Sequence, residues 1–285
     1  MAEPITAALV KTLRDRTDAP MMECKKILVE CHGNIEEAIK KIRESGLAKA
    51  VKKAGRIAAE GIIVIAEAGK KAVLVEINCE TDFVAREERF QQFAKQAATA
   101  VLGGLDLQDP SIEAKRLELV AQIGENITLR RSETYTTDNV LGVYAHGGAN
   151  GVRIGAMVEL KGGDVALAKD IAMHIAAMNP EYVAMRDLPA SRIESEKALF
   201  TKQTLEEGKA ADKVPMIVEG KVKKWAKEIT LLGQNFVKDP SLSIEALLKK
   251  SGAEVIRFVR YEVGEGIEKK ADNFVEEVMA QARGA

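Results

Sequence analysis

A chain of 285 residues, 46% of them hydrophobic, exceeds the usual single domain and carries enough apolar surface for two or three cores. Its 42 Lys and Arg against 43 Asp and Glu leave a net charge of -1, so no global field draws it to a polyphosphate or an anionic membrane. The three cysteines, Cys24, Cys31 and Cys79, read as reduced core thiols, Met1 to Pro4 lacks a basic or apolar leader, and no segment is apolar enough to span a bilayer. A cytoplasmic, non-membrane protein is expected.

The first 55 residues read as a helical docking module. Thr6 caps a helix bearing Leu9, Val10 and Leu13. Met21, Cys24, Leu28 and Cys31 then make an apolar stripe at spacings of three and four. After Gly33, Asn34 with Glu37 resembles a capping box, Ile35, Ala38, Ile39 and Ile42 supply a buried face, and Gly46 is placed to end the helix. The basic stretch around Lys49, Lys52, Lys53 and Arg56 reads as a linker or a solvated helix.

Residues 56–139 form a first core unit. Gly61 to Ala66 and Ala72 to Ile77 are β-branched runs joined across Gly69-Lys70-Lys71, the pattern of a hairpin. A loop from Asn78 to Ala85 leads to an amphipathic helix with Phe90, Phe93, Ala94, Ala97, Ala98 and Val101 on one face. A further helix follows Pro110 and stops near Gly124, with an extended run from Ile127 to Arg131 beyond it.

Residues 140–265 repeat the pattern: strands at Val140 to His146 and Val152 to Leu160, a Gly162-Gly163 turn, and a helix with Ala168, Ile171, Ala172, Ile175 and Ala176. A hairpin followed by an Ala-rich helix thus occurs twice, as in a duplicated β-β-α unit. Two charged helices at about 190–230, the first capped by Ser191 with Glu194, make an inserted antiparallel hairpin whose seam carries Val218, Val222, Trp225 and Ile229. Self-packing and a homodimer contact are both open for that seam. The strand Glu254 to Val263 and a helical module at 266–285, with Phe274, Val275, Val278 and Met279, close an α+β chain.

No constellation for chemistry emerges. Gly147 to Gly151 and Gly264-Glu265-Gly266 lack the Lys and spacing of a phosphate loop, Cys24, Cys31 and His32 lack a fourth zinc ligand, and carboxylates beside Cys79 raise a thiol pKa. His32, His146 and His174 fall on separate elements. The stretch Asn78-Cys79-Glu80-Thr81-Asp82-Phe83-Val84-Ala85-Arg86 stands out because it sets an aromatic ring beside a carboxylate between a hairpin and a helix. Spacing alone puts Phe83 seven residues before Phe90, on the same buried helical face, with Thr81 or Asp82 as cap.

That stretch, with Met21-Met22-Glu23-Cys24-Lys25-Lys26, Ile123 to Ile127, Arg130-Arg131, Ile171 to His174, Leu232 to Phe236 and Phe258 to Gly266, resembles elongation factor Ts, the exchange factors of the translational GTPase elongation factor Tu. The resemblance implies a ubiquitin-associated-like N-terminal module, a two-part core, a projecting helical hairpin and a C-terminal docking helix. It implies a non-catalytic protein without cofactor or metal of its own. Thr81, Asp82, Phe83 and Val84 would dislodge the Mg²⁺ of the GTPase, and Met21, Met22, Lys25, Ile123 and His146 would hold that partner. A rival reading uses Lys49 to Arg56 with Arg130 and Arg131 to bind nucleic acid, and another makes Cys79 a nucleophile.

Overall fold

The computed structural model describes residues 5–17, 19–148 and 151–268, and the predicted helix around Phe274 lies outside them. Three helices lead the chain: α1 (Ala7–Thr17), α2 (Met21–Glu30) and α3 (Ile35–Lys53). Thr6 accepts the Leu9 N–H at 3.2 Å and Asn34 that of Glu37 at 3.1 Å, so each side chain satisfies a helix-start donor, as its place before an apolar stripe predicts. Val10, Leu13, Cys24, Ile27, Leu28, Cys31, Ala38 and Ile39 close one small core.

Two expectations fail in this region. Gly46 does not end α3, which runs on to Lys53. A mid-helix glycine costs about 1 kcal/mol, but here the bare backbone admits another helix, α6 (Pro110–Ile123): a Cβ on Gly46 would lie 2.7 Å from the Ala121 Cβ. Met21 does not join the apolar stripe either and is 53% exposed. As the first residue of α2 its side chain leans back past the helix end, where no preceding turn covers it.

The core consists of two three-stranded antiparallel sheets. In one, β1 (Glu60–Ala68), β2 (Lys71–Cys79) and β3 (Ile127–Thr136) lie in that order; in the other, β4 (Val140–Gly148), β5 (Gly151–Lys161) and β8 (Glu254–Glu262) do. Strand alternation fixes what each central strand shows to each side. Val73, Val75 and Ile77 of β2 face α5 (Glu88–Leu102), with Phe90, Phe93, Ala94 and Ala97. Ala156, Val158 and Leu160 of β5 face α7 (Val165–Met178), with Ile171 and Ile175. The opposite faces meet through Ile63, Leu74, Tyr135, Met157 and Tyr261.

Each inter-sheet face also carries a buried carboxylate. Glu76, with no exposed surface, takes Arg130 at 2.7 Å, Arg131 at 2.6 Å, the Asn78 amide at 3.1 Å and the Gly264 N–H at 2.8 Å. Burial would raise its pKa, yet these donors hold it below the usual glutamate value. Glu159 takes Arg257 at 2.8 Å, Thr137 at 2.6 Å and Asn139 at 2.8 Å. The guanidinium of Arg131 lies over the Tyr261 ring at 4.1 Å and that of Arg257 over Tyr135 at 4.0 Å, so each sheet's arginine stacks on the other sheet's tyrosine.

Between α7 and β8 the chain forms α8 (Ala190–Glu206), α9 (Val214–Ile229), the short pair β6 (Asn235–Phe236) and β7 (Asp239–Ser243), and α10 (Ile244–Lys250). Ser191 does not cap α8. The helix starts at Ala190 behind Pro189, whose φ of -58° already fits a helix entry, and no side chain bonds that end. Of the expected α9 seam, Val218, Val222 and Trp225, joined by Val214, pack with Ile193 and Phe200 of α8. Among the described residues no helix is long and apolar enough to cross a membrane.

Gly46→Val should destabilise the protein by about 2 kcal/mol through overpacking against α6, and Ala121→Gly should restore part of the loss in thermal melts. His174, fully buried, faces Gln234 Oε1 at 2.9 Å through Nε2, while its Nδ1 accepts the Val237 N–H at 3.2 Å; burial lowers its pKa. A proton on Nδ1 would oppose that N–H. The unfolded chain therefore takes up protons first, and stability should fall as the pH drops below the ordinary histidine value of 6.5. Denaturant midpoints between pH 7.5 and 5 should show a smaller decline in His174→Gln than in the parent.

Candidate functional site

The 78–86 stretch forms a strand end, a two-residue turn and one helical turn. β2 runs to Cys79, two residues further than the expected loop allows, and α4 spans Asp82–Arg86. Thr81 is the N-cap, its hydroxyl accepting the Val84 N–H at 3.4 Å. Val84 and Ala85 point into the α5 core. A helical turn that buries its third and fourth residues must turn the second outward, and the Phe83 ring is 77% exposed. The face seven residues on belongs to Phe90, which is fully buried, because Glu87 breaks the helix between them with an extended backbone. Phe83 is therefore not part of the α5 face that spacing assigns it to. Asp82 pairs with Arg86 along α4, and the Arg86 guanidinium sits 6.0 Å from the Phe83 ring centroid.

The turn is held from behind by residues 124–126. Gly124 ends α6 in the left-handed region at φ 86°, which returns the chain toward the end of β2. Glu125 then accepts the Thr81 N–H at 3.0 Å and the Thr81 hydroxyl at 2.7 Å. In exchange, Glu80 accepts the Asn126 N–H at 2.6 Å. The Asn126 amide donates to the carbonyls of Arg56 at 2.7 Å and Ala54 at 3.4 Å, and Lys53 donates to the Gly124 carbonyl. The loop carrying Phe83, the end of α6 and the end of α3 are thus one hydrogen-bonded junction. The sequence pattern assigns no role to Glu125 or Asn126, because Thr81 and Glu125 stand 44 positions apart.

The other expected site residues divide. Met21 and Met22 are exposed at the start of α2, the latter at 74%, and Lys25 is exposed one turn on. Pro20 and Glu23 beside them line, with Ala114, Leu117 and Ala121 of α6, a groove of about 420 Å³. Ile123 is half-buried against the α5 core at the end of that same helix. His146 is exposed on β4 and stacks with Tyr144 at 6.4 Å. Its hairpin closes at Gly151, which lies against Ile62 and Gln91, and Gln91 donates to the Ala85 carbonyl at 3.3 Å. Val84 is buried in the core of the free protein.

The alternatives lose their residues to structural duties. Cys79 is buried beside Glu125 and Glu60, burial being the larger of the causes that push its thiol pKa up, and its Sγ donates to the Thr81 carbonyl at 3.2 Å. A protonated, enclosed thiol is a poor nucleophile. Arg130 and Arg131 are committed to Glu76, and Lys53 to Gly124, which takes these three cations out of the set a nucleic-acid backbone would need. Among the described residues no group of three or more His, Cys, Asp or Glu could hold a metal ion.

The exposures separate two aromatic truncations. Phe83→Ala should leave the melting temperature within about 2 °C of the parent, since a largely hydrated ring has little burial to lose. Phe90→Ala should cost about 3–5 kcal/mol through the cavity it leaves.

Residues 80–265, which begin at Glu80 and take in the Thr81–Arg86 turn and both sheets except β1 and β2, match the family model described as Elongation factor TS. An elongation factor Ts of Legionella pneumophila (strain Paris) is 54% identical, with 98% of this chain and 99% of the relative covered. Those of Thioalkalivibrio sulfidiphilus and Francisella tularensis subsp. novicida are 50% and 47% identical, covering 99% and 98% of this chain and 99% of each relative. A family model spanning more than half the chain, and relatives this similar from end to end, place the chain in the elongation factor Ts family.

Proposed function

We propose that this chain is a translation elongation factor that binds elongation factor Tu in its GDP form and, without catalysing chemistry, releases the GDP by displacing the Mg²⁺ beside it. Family membership supports the partner and the exchange activity. The observation that carries the mechanism is the Phe83 ring, hydrated in the free protein yet mounted on a turn anchored on both sides. An exposed aromatic on a rigid mount is a contact prepared for another surface, because its burial there gains apolar energy and little ordering remains to oppose it.

GDP in such a GTPase is retained by phosphate contacts and by the bound metal ion. Wedging Phe83 between elements of the partner, with the Asp82 carboxylate alongside, moves the metal-holding groups and so weakens nucleotide without any bond being made. Met21, Met22 and Lys25 would hold the same domain, the soft methionine side chains adapting to its surface, while Ile123 and His146 add contacts nearer the turn. Val84 serves from inside, as the buried neighbour that turns Phe83 outward. Helices α1 to α3 would be the ubiquitin-associated-like module. The two sheets with their helices would be copies of one β-β-α unit, as the matched pairs Val75-Glu76 with Val158-Glu159 and Arg131-Tyr135 with Arg257-Tyr261 support.

Catalytic amounts of the protein should accelerate release of labelled GDP from elongation factor Tu, and by linkage GDP with Mg²⁺ should weaken the complex of the two proteins. Phe83→Ala should slow stimulated release about tenfold to a hundredfold, the equivalent of about 1.5–3 kcal/mol of lost apolar contact. A Phe83→Ala protein that stimulates release at the parental rate would refute the wedge while leaving the exchange activity standing.

A further inference from the structure

We infer that Glu125 is the positioning residue of the exchange loop: it fixes Thr81, and through Thr81 the direction in which Asp82 and Phe83 leave the core. The inference rests on the reading of Phe83 as the element that enters the partner. Glu125 touches neither Asp82 nor Phe83 in any hydrogen bond; both of its oxygens are engaged by Thr81, one by the N–H at 3.0 Å and the other by the hydroxyl at 2.7 Å.

Three features make this clasp more than a surface bond. First, α4 is five residues long, too short to persist by its own propensity, so its first turn exists because it is capped and because Val84 and Ala85 are buried. Second, the cap depends on the clasp. With its proton directed to Glu125, the Thr81 hydroxyl keeps a lone pair for the Val84 N–H at 3.4 Å, and one rotamer serves both partners. Third, Glu125 is itself immobilised. Lys53 holds the carbonyl before it, and Asn126 after it is bonded to the α3 end and to Glu80. The two loops therefore exchange carboxylate-to-backbone bonds, Glu125 to Thr81 and Glu80 to Asn126, and a charged acceptor makes each stronger than a neutral pair. Without Glu125 the α4 start frays, and Phe83, its second residue, points over a range of directions of which few fit the partner.

The experiment compares full-length parent, Glu125→Ala, Glu125→Gln, Phe83→Ala and the Glu125→Ala/Phe83→Ala double variant by three readouts: thermal melting, amide hydrogen exchange across residues 81–86, and GDP release from elongation factor Tu at rising factor concentration. Glu125→Ala should speed exchange of the Thr81 and Val84 amides at least about tenfold. It should lower the saturating release rate about tenfold while the half-saturating concentration stays within about twofold. Glu125→Gln, which still accepts the Thr81 N–H and can donate to the hydroxyl, should recover most of both losses. In the Phe83→Ala background the second substitution should cost less than about twofold, because it acts through the ring already removed.

Unchanged amide exchange in Glu125→Ala, an equal loss in both backgrounds, or an effect confined to the half-saturating concentration would each overturn the inference. Should Glu125→Ala fail to fold, Glu125→Asp supplies the same comparison, since it keeps the charge and leaves the Thr81 cap hydroxyl in place while drawing the carboxylate one methylene away from Thr81. If Phe83→Ala releases GDP at the parental rate, the wedge itself falls, and amide exchange still decides separately whether Glu125 orders the turn.

Discussion

A carboxylate with no exposed surface, set between two sheets, constrains everything around it. Glu76 cannot remain charged there unless several donors reach it, and an uncompensated buried charge costs several kcal/mol. Arg130 and Arg131 come from the neighbouring strand of its own sheet, whereas the Gly264 N–H comes from just beyond the last strand of the other. The sheets must therefore sit face to face in one register for the carboxylate to be satisfied at all. Arg131 reinforces that register by lying over Tyr261, and Arg257, paired with Glu159, does the same over Tyr135. Sheets locked this way give the turn at the end of β2 a fixed platform, on which a single clasp suffices to aim a side chain.

Because the arginine pair is spent on this lock, Arg130 and Arg131 are not free to meet a polyanion. A neutral net charge already weakened the nucleic-acid reading, and the pairing of Arg130 and Arg131 with Glu76 finishes it at those residues. The three cysteines behave alike: all are buried and free. What remains outward and apolar near the matched motifs is Met21, Met22 and Phe83, a set suited to a protein partner.

Periodicity carried most of the fold. The stripes of α1, α5 and α7 and the alternation of β1, β2 and β5 show in the sequence because each element buries one face, and burial is what residue patterning records. Errors arose where a local rule met a tertiary neighbour. Gly46 looks like a stop, but α6 approaches closely enough to need a residue without Cβ there. Phe83 looks like an extension of the α5 face, but the extended backbone at Glu87 resets the helical phase between the two phenylalanines. Ser191 looks like a cap, but Pro189 takes the cap position two residues earlier. The Glu125 clasp was invisible for a different reason. Its partners are brought together by the sheet, and one acidic residue after a helix-ending glycine has no pattern of its own.

The bond from Gly264 to Glu76 joins residues 188 positions apart, and time enters through that distance. A chain made from its amino end displays Glu76, Arg130 and Arg131 long before the Gly264 N–H exists, so the first sheet can form its helix-covered side early while its other face waits. Until β8 arrives, Leu74 and Ile63 can meet Gly155 and Met157 of β5 but not Tyr261, and the carboxylate lacks one of its donors. Final closure is thus a late, long-range event that follows synthesis of nearly all the described residues, and an interrupted chain ending before residue 254 would leave the inter-sheet face without Tyr261 and Val263 and Glu76 without one of its four donors.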